Sequence, residues 1–100
     1  MKKKQFYTLV RENKKPKAVL VNGYYDERTQ LYFYKCDLSK NWNAICIHTG
    51  LSIANGRTRE ECYKNVQSVL NLYRNTMNTP HFNKLVKQYN TAVQIALNCV

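Results

Sequence analysis

Cys46 and His48 stand two positions apart in WNAICIH, a spacing that puts both side chains on one face of a strand, about 6.6 Å apart along its axis. A thiolate nucleophile needs a base within reach and a further group that orients the base. The flanking sequence supplies no such group, so a buried cysteine and a strand-end histidine are the expectation. Cys62 falls in the first turn of an expected helix, where the dipole favours a thiolate. The four cysteines, Cys36, Cys46, Cys62 and Cys99, are 10, 16 and 37 positions apart, with no CxxC pair and no zinc-knuckle spacing. They read as small buried hydrophobes in a cytosolic chain. His81 has no metal-ligating companion at useful spacing, and no metal or cofactor is expected.

Acid-base chemistry is poorly supplied. A hydrolase that works through two carboxylates needs them across a cleft, and a two-metal nuclease needs several together. The six acids, Glu12, Asp26, Glu27, Asp37, Glu60 and Glu61, all fall where turns or helix caps are expected. A glycine-rich loop followed by Lys-Ser or Lys-Thr is also missing. The expectation is a non-enzymatic protein.

Charge and aromatic content are more informative. The net charge is +10, with seven basic groups against one acid in residues 1–17, three against three in residues 18–50, and six against two in residues 51–100. That bias points to a negatively charged partner. Twelve Asn and eight Tyr accompany the lysines, a composition that AT-rich coding sequence also favours. Lys2, Lys3, Lys4, Lys14, Lys15 and Lys17 are the candidate phosphate contacts. Arg57 and Arg59 flank the open amides at the start of a long helix, a seat for one backbone phosphate. Tyr32 and Tyr34 share one face of QLYFYKC, opposite Leu31 and Phe33. If helices cover Leu31 and Phe33, the two tyrosines form an outward aromatic surface that can stack bases or hold a protein, including a second copy.

The elements that would position these groups follow from periodicity. QFYTLV and KAVLVNGYY read as strands separated by a turn at ENKKP, with Asn22-Gly23 as a bulge or bend and a turn at DERT. QLYFYKC and WNAICIH read as two further strands, separated by DLSKN. Thr58 and Glu61 have capping-box spacing, and Gly56 permits the turn before them. The helix that follows carries an apolar stripe at Cys62, Val66, Val69, Leu70 and Tyr73, with Leu51 and Ile53 as anchors before it. A second helix opens with Thr79 as cap and Pro80 at its first position, and its stripe is Phe82, Leu85, Val86, Tyr89, Val93, Ala96 and Leu97.

Residues 30–74, with the strand pair QLYFYKC and WNAICIHTG followed by NGRTREECYKNVQSVL, resemble the amino-terminal domain of Hic-type antitoxins. The positions that carry the resemblance are Gly56, Thr58, Glu60, Glu61 and Asn65. It implies a domain similar in shape to a double-stranded-RNA-binding domain that neutralises a toxin by protein contact. The family's acidic, proline-containing segment before the glycine is absent here, and a second long helix stands where the family has a further strand.

The sequence therefore predicts an α+β fold, a small antiparallel sheet of about four strands followed by two long antiparallel helices on one face. One domain spans residues 1–100, with a short basic amino-terminal arm at residues 1–4. MKKKQF is followed by no apolar run of signal-peptide length, and no 18-residue apolar span occurs, so a cytoplasmic protein without a membrane partner is expected. The expected function is binding to DNA or RNA through backbone contacts. A protein-protein inhibitor or antitoxin-like module acting on a nucleic-acid-processing partner is the alternative, and a homodimer is compatible with either.

Overall fold

β1 (Lys2–Glu12) turns back into β2 (Lys15–Asp26) through Asn13 and Lys14, whose φ values of 52° and 65° are those a two-residue hairpin turn requires. The turn after β2 leads into β3 (Leu31–Lys35), then β4 (Trp42–Cys46) and β5 (Ser52–Gly56), and the chain ends in α1 (Arg59–Thr76) and α2 (Pro80–Asn98). In this computed structural model, which describes residues 1–98, the strands form one antiparallel sheet in the order β1-β2-β3-β4-β5. Cys99 lies outside the described residues.

The architecture is the expected α+β sheet-then-helices arrangement, with four local differences. Lys2, Lys3 and Lys4 are part of β1, paired with Tyr25, Tyr24 and Gly23, and do not form a separate arm. Asn22-Gly23 sits in an unbroken register, not a bulge. β4 stops at Cys46, so His48 lies in the following turn. SIANG, expected as anchor and turn, is a fifth strand whose register slips by one residue opposite Ala44 and Ile45.

Alternation assigns the two faces of the sheet. Leu31, Phe33 and Ala44 project to one side, where α1 brings Cys62 and Val66 down on them, and all five are essentially inaccessible. Burying side chains of the size of Leu31, Phe33 and Val66 contributes about 1.5–3 kcal/mol each, which outweighs the small intrinsic helix preference of α1. Thr58 caps α1 by accepting the Glu61 N–H at 3.1 Å, and Thr79 caps α2 by accepting the Phe82 N–H at 3.2 Å. α2 lies on the same side of the sheet, over the β1–β2 hairpin, where Ala92 and Ala18 are both buried. Leu97, expected in the α2 stripe, is 49% exposed.

The face without helices is closed by the sheet itself. β1 and the β4–β5 turn are three strands apart in order, yet Leu9 N–H donates to the Gly50 carbonyl at 2.9 Å and Thr8 Oγ1 donates to the same oxygen at 3.0 Å. Strands about 4.8 Å apart meet across that interval only if the sheet curls. Curling brings Phe6 onto Tyr32, stacked with centroids 4.2 Å apart, and edge-on to Tyr34 at 5.9 Å. Thr8, Phe6 and Ile45 are buried as a result.

Gly23 makes that crossing possible. A Cβ there would press on the Phe33 carbonyl and lie 2.9 Å from both the Phe6 ring and Tyr34 Cβ. Gly23→Ala should therefore cost about 1–3 kcal/mol, read as a lower urea midpoint at unchanged m-value, despite the higher strand propensity of alanine.

Candidate functional site

The candidate phosphate contacts fall into three separate groups. Lys2 and Lys4 point to the helix-free face beside Tyr25, and Lys3 points to the other face beside Tyr24. Lys14, Lys15 and Lys17 are at the hairpin tip, and at about 3.3 Å per residue the eight steps from Lys4 to Glu12 carry them roughly 25 Å away. Arg57 and Arg59 stand exposed at the start of α1, which is packed on β5 at the far edge of the strand order. No single basic patch collects all eight residues.

Only the Lys2–Lys4 group meets the aromatics. An open depression of about 410 Å³ is lined by Lys2, Lys3, Lys4, Tyr25, Tyr32 and Ile47, with Glu27 on its rim. Lys2 Nζ lies 3.1 Å from Glu27, but both side chains are largely exposed and such a pair is weak and easily exchanged. Tyr25 meets Tyr32 edge-on at 5.9 Å. Alternation along the β1–β2 ladder places Tyr25 here. It went unselected in the sequence because its register with Lys2 depends on the hairpin turn at Asn13-Lys14.

Tyr32 and Tyr34 do sit on the face away from α1, but they are half-buried. Phe6 occupies one side of Tyr32 and abuts Tyr34. Burial, and then the neighbouring Tyr25, pushes the Tyr32 hydroxyl pKa up. Burial followed by Cys36 does the same for Tyr34, against an opposing hydrogen bond with Thr8. The outward aromatic surface is therefore Tyr25 with the free edge of Tyr32, while Tyr34 belongs to the packed interior of the curl.

The cysteines and histidines are placed by packing. Cys46 is buried and its Sγ accepts the Tyr73 hydroxyl at 2.9 Å. His48 is exposed, its ring edge-on to Phe82 at 6.3 Å, and it shares no strand face with Cys46. Cys62 is buried against Ala54, and burial pushes its thiol up to about 11, so desolvation overrides the helix dipole. Cys36 is shifted the other way, chiefly by the Ser39 backbone N–H, then by the Ser39 side chain and the Leu38 backbone. Among the described residues no group of three or more metal-ligating side chains occurs, and no helix is long and apolar enough to cross a membrane.

No protein-family model, curated protein or solved structure matches this chain.

Burial pushes the Tyr89 hydroxyl up to about 12, and Tyr73 is raised further by burial and its bond to Cys46. These groups and Cys62 hold protons in the folded state that the unfolded chain releases near its ordinary values of 9.0 for a thiol and 10.0 for tyrosine. Their stabilisation is complete below about pH 9 and is lost as pH rises, through about 11 for Cys62 and about 12 for Tyr89. Urea midpoints should therefore fall on going from about pH 8 to 11, and Cys62→Ala should flatten the first part of that fall.

Proposed function

We propose that this protein is a small basic, non-enzymatic module that binds nucleic acid, chiefly through the sugar-phosphate backbone. One observation carries the reading: Lys2 and Lys4 share one open depression with Tyr25 and the edge of Tyr32, and Lys3 stands at its margin from the opposite face. Lysines are suited to phosphate as mobile point charges, and a neighbouring ring offers a surface to an unpaired base. The depression is open and shallow, as a strand passing through it requires. Contacts of this kind position a backbone and carry little sequence information.

Alternation along β1 gives the lysines distinct roles. Lys2 and Lys4 approach phosphates on the Tyr25 side, and Lys3 meets the next phosphate around the strand edge. Lys14, Lys15 and Lys17 act at long range from the hairpin tip, with Lys17 partly neutralised by Glu12 at 3.0 Å. Arg57 and Arg59 lie near the α1 amides, opposed there by Glu60 and Glu61.

Affinity for short single-stranded and duplex DNA and RNA, measured across about 50–300 mM salt, tests the reading. Binding should weaken steeply with salt, and replacing Lys2, Lys3 and Lys4 together by alanine should lower the slope by about one for each phosphate contact removed. Tyr25→Ala should weaken single-strand binding several-fold and leave the slope unchanged, since stacking releases no counterion. Alanines at Lys14, Lys15 and Lys17 should have the smaller effect. Negligible binding of the unaltered protein at the lowest salt would exclude the proposal.

A further inference from the structure

The two outer edges of the β1–β2 hairpin are treated differently. On β1, Gly50 takes the Leu9 N–H at 2.9 Å and the Tyr89 hydroxyl donates to the Tyr7 carbonyl at 2.6 Å. Both groups point away from β2. In an antiparallel ladder their direct partners, Ala18 and Leu20, then also point their backbone groups away from β1, and Asn22 is in the same phase.

β3 uses only part of that second edge. Its pairing with β2 runs from Asp26–Leu31 to Tyr24–Phe33 and stops. Among the described residues, the N–H and C=O groups of Ala18, Leu20 and Asn22 have no ladder partner toward β3; Ala18 is buried under α2, so the exposed Leu20 and Asn22 form the open edge. Where the strands part, a cleft of about 420 Å³ opens beside the edge, lined by Thr8, Val19, Val21, Tyr34 and Leu38. Leu38 is 96% exposed and Leu20 is 47% exposed. An exposed strand edge beside an apolar cleft wall is a template for another chain unless something blunts it.

We propose that the β2 edge at Leu20–Asn22 receives an extended segment of another protein, apolar at alternate positions and carrying carboxylates at its flanks, as an added strand. The unpaired groups recur every second residue, which matches one extended backbone. Alternate side chains of that strand enter the cleft against Val19, Val21 and Tyr34, and the others pass over Leu20. Lys17 is paired with Glu12, which leaves the exposed Lys15 and Lys35 against Asp37 around the edge and favours an acidic flank. A second copy brings another chain of charge +10 to the same lysines and is disfavoured. The proposal uses none of Lys2, Lys3 or Lys4, and shares with the nucleic-acid reading only the hairpin-tip lysines.

The test is amide hydrogen exchange and chemical-shift mapping on the intact protein. The probe is a synthetic peptide of about eight residues that alternates valine and threonine and ends in acidic residues. In the free protein the amides of Leu20 and Asn22 should exchange much faster than those of Val19 and Val21, which face β1. Peptide should slow exchange at Leu20 and Asn22 at least ten-fold, and the same peptide N-methylated at alternate positions should not. Leu20→Pro removes an outward N–H that the β1 ladder does not use, and should abolish peptide binding while the remaining amide spectrum is retained. No protection at millimolar peptide would overturn the proposal. So would edge amides already protected in the free protein together with a dimer in sedimentation, since a second copy then holds the edge.

Discussion

The carbonyl of Gly50 is the point on which the sheet depends. It accepts Leu9 N–H and Thr8 Oγ1, at 2.9 and 3.0 Å, and so ties the first strand of the meander to the turn between the last two. Gly50 takes φ +68°, and the Tyr89 ring occupies the place where a Cβ would be, so only glycine presents its carbonyl in that direction against α2. A five-stranded sheet with helices on one face would otherwise leave its second face to water. The tie converts that face into the inside of a curl.

Two consequences follow from the curl. Phe6, Thr8 and Ile45 become a second apolar layer without any helix to cover them, which a chain of this length needs because its first core under α1 is small. The same bond also caps the outer edge of β1. Tyr89 finishes that cap through the Tyr7 carbonyl, so α2 contributes to closing the edge as well as to covering Ala18. β2 has no equivalent above Tyr24. Its open edge arises from β3 being only five residues long beside a twelve-residue β2.

Much of this was legible in the sequence where one local rule applied. Thr58 and Thr79 announced their helices through the side-chain oxygen that each offers to an N-terminal amide. The stripe of Cys62, Val66 and Tyr73 announced the face of α1. SIANG was illegible as a strand because it holds one β-branched residue, ends in Asn-Gly and gains its order from pairing with β4. Tyr32 and Tyr34 were correctly opposed to Leu31 and Phe33, but the ring that half-covers them belongs to Phe6, some 26 positions earlier. No periodicity within one strand reports a contact created by curling. The candidate site was legible as residue types and not as a grouping, since Lys2 meets Tyr25 only through a register set at Asn13-Lys14.

The charge distribution is consistent with this geometry. Sixteen basic residues face six acids, and two ion pairs form among the described residues, so most of the positive charge is uncompensated. Concentrated in one patch, that charge would oppose folding. Placed at the β1 start and at a hairpin tip roughly 25 Å away, the main clusters are separated by about three Debye lengths at physiological salt and scarcely repel one another. Each keeps a strong local potential. A compact anion can then engage one cluster at a time, whereas a polyanion long enough to bridge them gains from two, so the spacing that spares the fold also favours an extended partner over a small one.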